Sequence, residues 1–146
     1  MRFQTAIENI MSTAEKIATT MMKEDAFSQW LGIEILEVRD GYAKVKMTIR
    51  EEMLNGHGVA HGGITFSLAD SAFAFASNTH GQKAVSIETS INHIKPVFAD
   101  DLLIAIAEEE HSSKSLGQYI VRVLRDKKLV GLFKGVVFRK EEKWEV

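Results

Sequence analysis

The stretch from Ile64 to about Thr79 constrains the fold more than any other. Its Ile64, Phe66, Leu68, Ala69, Ala72, Phe73, Ala74, Phe75 and Ala76 fall on every side of a helix, and His80-Gly81 follows as a stop. A surface helix keeps a polar face; one that is apolar almost all round has to be wrapped. The segments available to wrap it have strand periodicity. Ile33 to Val38 and Tyr42 to Ile49 flank an Asp40-Gly41 turn, and in the second Tyr42, Lys44, Lys46 and Thr48 alternate with Ala43, Val45, Met47 and Ile49. Further on, Val85, Ile87 and Ile91 alternate with Ser86, Glu88, Ser90 and Asn92, and Leu102 to Ala107 is apolar on both faces. Tyr119 to Leu124 and Leu129 to Phe138 flank a polar connection, Asp126-Lys127-Lys128. The only proline, Pro96, falls between two strands, where its missing N–H does no harm. The pattern predicts an α+β chain in which antiparallel strands curl around one long helix.

Ahead of this unit, Phe3, Ile7, Ile10, Ala14, Ile17 and Met21 recur in steps of three and four, with Glu8, Glu15 and Lys16 off the stripe. An amphipathic helix that packs on the domain or on a partner subunit is expected; its polar face is too weakly basic for a membrane surface. A short helix over Asp25 to Trp30 should end at Gly32. Residues 1–30 therefore read as a helical extension and 31–146 as one domain, in keeping with a chain of 146 residues. The net charge is −2 with basic residues scattered among acidic ones, which offers no general attraction to nucleic acid or anionic membrane. With no cysteine, thiolate nucleophiles, disulfides and cysteine-type zinc sites are excluded. The N-terminal residues lack the apolar core of a signal peptide, and no run approaches the ~18 apolar residues of a membrane span. A cytoplasmic protein is the expectation.

The chemistry concentrates in Asn55-Gly56-His57-Gly58-Val59-Ala60-His61-Gly62-Gly63, which runs into the greasy helix and its single carboxylate, Asp70. Backbone N–H groups at a helix start are unpaired and sit at the positive end of the helix dipole, so Gly62 and Gly63 suit an oxygen that gains negative charge. Glycine lets a carbonyl approach closely, or simply lets the loop turn into the helix; the two roles are compatible. An Asp in an apolar helix is costly unless something pairs or uses it. Asp70 is satisfied by hydroxyls such as Ser67 or Ser71, marks a helix face open to solvent, or serves as a general base or nucleophile. Asn55 orients a reacting group or belongs to an Asn-Gly turn. His61 shapes the loop or touches a substrate. Together these features read as an acyl-transfer site. The His57–His61 spacing resembles a zinc pair, but the surrounding glycines argue against a helix there and no second ligand cluster follows. Ser67 lacks the flanking glycines of a nucleophile elbow.

Asn55-Gly56-His57-Gly58, His61-Gly62-Gly63 and Leu68-Ala69-Asp70 resemble the signature of hotdog-fold acyl-CoA thioesterases, most closely the phenylacetate-degradation (PaaI-type) branch. The resemblance runs from about Leu31 to Lys140 and includes Lys95-Pro96. It implies a homodimer with the active site built between two subunits, dimers pairing again into tetramers, and hydrolysis of an acyl-CoA to free acid and coenzyme A with no metal or organic cofactor. On this reading Asp70, Asn55, Gly62, Gly63 and His61 form the catalytic set. Ser86 occupies the strand on which a related branch uses a hydroxyl to hold water. Lys95, Lys114 and Arg139 are candidates for the coenzyme A phosphates, and Met53, Leu54 and Phe66 for the acyl group, an aryl-acetyl or other modest-sized chain. Two rivals are a hotdog enoyl-CoA hydratase or dehydratase, which usually couples a His with a carboxylate, and a non-catalytic acyl-CoA-binding protein, which leaves Asp70 unexplained.

Overall fold

The computed structural model describes residues 10–146. In chain order the elements are α1 (Thr13–Glu24), α2 (Ala26–Leu31), β1 (Glu34–Arg39), β2 (Tyr42–Thr48), a 3₁₀ turn (Glu51–Met53), α3 (Gly62–Asn78), β3 (Gln82–His93), β4 (Leu102–Ser112), β5 (Leu116–Arg125) and β6 (Lys128–Lys143). The six strands form one antiparallel sheet in the order β1-β2-β4-β5-β6-β3. It curls around α3, the hotdog arrangement expected from the sequence. Leu68, Ala72, Phe73, Phe75 and Ala76 of the helix are sealed against inward residues such as Val45, Leu103, Tyr119, Val121 and Phe133. Gly135 of β6 lies directly beneath Phe73: a Cβ built there falls 2.6 Å from Phe73 Cζ, so only glycine admits the ring.

Several boundaries differ from the sequence reading for local reasons. The N-terminal stripe was expected to run through Ile10, yet α1 begins at Thr13. Ser12 caps it: Glu15 N–H donates to Ser12 Oγ (3.1 Å), and Ser12 N–H donates to Glu15 Oε2 (2.7 Å). Ile10 therefore precedes the helix and is 84% exposed, while Ala14, Ile17 and Ala18 are buried; Phe3 and Ile7 lie outside the described residues. Helix α2 follows Asp25 as expected and ends at Gly32, whose φ of +77° suits a residue without a Cβ. The central helix starts two residues early, at Gly62, because His61 caps it.

Strand β4 continues past Ala107 to Ser112, through three glutamates that break the apolar pattern. Glu109 there points inward, accepting hydrogen bonds from the Tyr119 hydroxyl (2.6 Å) and pairing with His80 Nε2 (2.6 Å), with Arg139 at 3.6 Å. The β5–β6 hairpin turns on Asp126 and Lys127, both at positive φ, while Lys128 already belongs to β6. Among the described residues no helix is long and apolar enough to cross a membrane.

Candidate active site

The loop before α3 is a self-bonded turn. Asn55 Oδ1 accepts the N–H groups of His57 (2.9 Å) and Val59 (3.4 Å), and Asn55 N–H donates to Val59 O (2.8 Å). The oxygen thus shapes the turn, while the two side-chain amide N–H donors have no acceptor among the described residues. The loop is pinned underneath by His61 N–H to Met53 O (2.8 Å) and Ala60 N–H to Val97 O (2.7 Å).

At the helix start, Ile64 N–H donates to His61 O (2.8 Å) and Gly63 N–H to His61 Nδ1 (3.1 Å). The two glycines, read alike from the sequence, are therefore unequal. Gly63 is capped; the Gly62 N–H is left without an acceptor among the described residues, at the positive end of the helix. That bond also commits Nδ1 of His61 as an acceptor. Among the described residues no cluster of three or more ligand-type side chains is positioned for a metal ion.

Gly62 opens onto a cleft of about 280 Å³ lined by Asn55, Thr65, His93 and Lys95 among others. His93, at the end of β3, was missed by the sequence reading. Its Nε2 would stand 3.1 Å from a Cβ at position 62, so the ring roofs the glycine. The only signal was a histidine two residues before Lys95-Pro96, and nothing in the sequence says that this loop folds under α3.

Asp70 lies elsewhere. Eight residues up a helix that rises 1.5 Å per residue, it stands about 12 Å along the axis from Gly62, and it does not line the cleft. It is half-buried, and neither hydroxyl proposed to satisfy it does so: Ser67 Oγ donates to Gly63 O (2.6 Å) and Ser71 Oγ bonds Ser28 Oγ (2.8 Å). Its carboxylate takes no hydrogen bond among the described residues. Burial first, then the negative charge of Asp25, push its carboxyl above the ordinary aspartate value.

Of the remaining candidates, Leu54 and Phe66 are half-buried, Phe66 tilted on Phe133 with ring centroids 5.4 Å apart. Met53 is sealed in the core at 2% exposure. Ser86 is exposed on β3, the sheet edge. Lys95 is exposed at the cleft. Arg139 is not available to a phosphate: it is buried, donating to the carbonyls of Ser113 (2.8 Å) and Leu116 (3.0 Å). Lys114 lies in the β4–β5 turn. That is the opposite end of β5 from Arg125, whose guanidinium bonds Pro96 O (2.9 Å) beside the cleft.

Comparison with known proteins accords with this geometry. Residues 57–131 match the family model of the thioesterase superfamily. The acyl-coenzyme A thioesterase PaaI of Escherichia coli is 43% identical over 119 residues, covering 81% of this chain and 85% of its own. The solved structure of E. coli PaaI superposes with a TM-score of 0.88 at 40% identity, over 90% of this chain and 96% of that one. A Streptococcus mutans protein solved with acetyl-CoA bound has a TM-score of 0.74 at 25% identity, over 77% and 91% of the two chains. The sequence signature, the curled sheet around α3 and these relatives agree: the chain belongs to the thioesterase superfamily.

Proposed function

We propose that this enzyme hydrolyses acyl-CoA thioesters to the free acid and coenzyme A in the cytoplasm, with Gly62 and Asp70 acting from different subunits of a homodimer. One observation supports the reading: among the described residues α3 holds a donor without an acceptor, the Gly62 N–H, and an acceptor without a donor, the Asp70 carboxylate, about 12 Å apart. Neither is explained by the fold, and that separation is too long for both to serve one carbonyl in the same subunit. A second copy resolves it by bringing its own Asp70 to the Gly62 cleft. Strand β3 supports such pairing, being a 12-residue free edge with Val85 and Ile87 exposed. Dimers pair again into a tetramer, as the family resemblance implies.

The thioester oxygen accepts from Gly62 N–H, and Asn55 donates from its free amide to the attacking water or to the thioester. Asp70 takes a proton from water as it attacks the carbonyl carbon. The tetrahedral oxyanion is stabilised at the helix start, a contribution of about 3 kcal/mol for one such donor. Collapse expels the thiolate, which recovers the proton. A direct attack by Asp70, forming an anhydride, uses the same groups. His61 acts by holding the helix start and Gly63 in place, Lys95 meets a coenzyme A phosphate at the cleft mouth, and Ser86 holds the water. Leu54 and Phe66, backed by Met53, pack the acyl group, which we assign to the aryl-acetyl or modest-sized class. No cofactor is required.

The test is release of free thiol from a panel of aryl and aliphatic acyl-CoAs. Asp70→Asn should lose about 10²–10⁴-fold in kcat. Mixing inactive Asp70→Asn subunits with inactive Gly62→Val subunits should restore about a quarter of wild-type activity, because half of the dimers would carry one intact shared site. No recovery from demonstrably mixed dimers would place both groups in a single subunit and overturn the shared site.

A further inference from the structure

Asp25 caps α2, but its surroundings exceed what capping needs. Its Oδ1 accepts Ser28 N–H (2.9 Å), which is the cap; its Oδ2 also accepts the Ser28 hydroxyl (2.5 Å). With that proton spent on Asp25, the 2.8 Å contact between Ser28 Oγ and Ser71 Oγ is a donation from Ser71. Both serines are buried, at 1% and 9% exposure. The chain Ser71 to Ser28 to Asp25 thus ties α2 to α3 at the residue next to Asp70, and it points every hydroxyl proton away from Asp70.

Among the described residues no other charge is set against Asp70. Helix α3 carries no ionisable side chain besides Asp70; His61 caps its start, and His80, just past its end, pairs with Glu109. From the sheet, Tyr119, Glu109 and Arg139 are turned toward α3 at that same end, and His93 stands over Gly62 at the other. Helix α1 turns Ala14, Ile17 and Ala18 inward, with Glu15, Lys23 and Glu24 exposed and Lys16 half-exposed.

We propose that Asp25 is a positioning residue for the hydrolysis: anchored through Ser28 and Ser71, it sets a second negative charge beside Asp70 and keeps hydroxyl donors off it. This rests on Asp70 as the reacting carboxylate. A like charge disfavours ionisation, so the proton taken from water is held more firmly and Asp70 is the stronger base. The helical extension then has a chemical role in addition to its packing.

The experiment is the pH profile of kcat/KM, on whichever acyl-CoA of the panel turns over fastest. Asn and Ser cap helices about as well as Asp, so Asp25→Asn and Asp25→Ser remove the charge and keep the cap. Both should shift the acidic limb to lower pH and lower the plateau, with thermal midpoints near that of the wild type. Added salt should move the wild-type limb in the same direction by screening Asp25, and should leave the variants' limb in place. A limb that stays put in both variants, or a wild-type limb indifferent to salt, overturns the role of Asp25. The underlying reading fails separately: an Asp70→Asn enzyme with undiminished turnover would remove Asp70 from the chemistry whatever Asp25 does.

Discussion

Gly62→Ala separates packing from chemistry at the helix start. The three heavy atoms nearest the new methyl all belong to His93, at 3.1 Å (Nε2), 3.3 Å (Cε1) and 3.7 Å (Cδ2). That ring is exposed and takes no hydrogen bond among the described residues, so it can yield a few tenths of an ångström cheaply. Gly62 is not at a positive φ, and alanine introduces no backbone strain. Loss of glycine's freedom in the unfolded chain favours the variant by about 0.4–1 kcal/mol. The net expectation is a protein as stable as the wild type or slightly more so. Activity should go the other way. The methyl projects toward the cleft side of the N–H, where an accepting oxygen has to come within about 2.9 Å. Displacing it forfeits most of a backbone oxyanion donor, worth about 10²–10³-fold in kcat. Urea unfolding and thiol release on the same preparations read both quantities. Adding His93→Ala should relieve the ring contact without restoring turnover. An active Gly62→Ala enzyme, within about twofold of wild type, would show that the thioester oxygen does not sit at this N–H. A clear loss of stability would show that the cleft wall is rigid where the structure makes it yielding.

Two further variants test the frame of the site. Gly135→Ala puts a methyl within 2.8 Å of three Phe73 ring atoms, and that ring is hemmed in by Tyr119 and Phe133 at 5.7 and 5.5 Å. The cost should be about 1–3 kcal/mol in urea, partly recovered in combination with Phe73→Leu; an unaffected midpoint would mean the ring has room to move. For Glu109, burial pushes the carboxyl up, but the Tyr119 hydroxyl, His80 and Arg139 outweigh it and hold it below the usual glutamate value. A depressed folded value contributes stability above the unfolded value, about 4.3, and loses it as pH falls through the folded one. Glu109→Gln should therefore be less stable at neutral pH and show a flatter decline toward acid, and an unchanged acid dependence would count against the pairing.

Where the sequence carried a periodic signal, the fold was legible. The all-round apolar helix required a wrapping sheet, and Ala43, Val45 and Met47 of β2 are indeed the buried side against their lysine neighbours. Legibility failed where polar residues were satisfied at a distance. Glu109 interrupts the β4 pattern because Tyr119, ten residues on, and His80, twenty-nine residues back, supply its partners. The extent of α1 was misjudged for a different reason: Ser12 and Glu15 form a capping box that apolar spacing alone does not register.

The candidate site was legible as an inventory and not as a geometry. Asn55, the glycine pair and Asp70 stand within sixteen residues of sequence, and so invite the picture of one compact site. A helix undoes that picture, because each residue after Gly62 adds about 1.5 Å of rise. Nor did the sequence distinguish Gly62 from Gly63; that distinction came from the imidazole of His61, which spends itself on one N–H and leaves the other open. The same constraint explains how a carboxylate survives on the core helix. Asp70 is only half-buried, and its neighbour Ser71 bonds Ser28 of α2 rather than a residue of the sheet. Had it faced the sheet, its desolvation would have demanded a buried donor, and a carboxylate holding such a donor would be a weaker base.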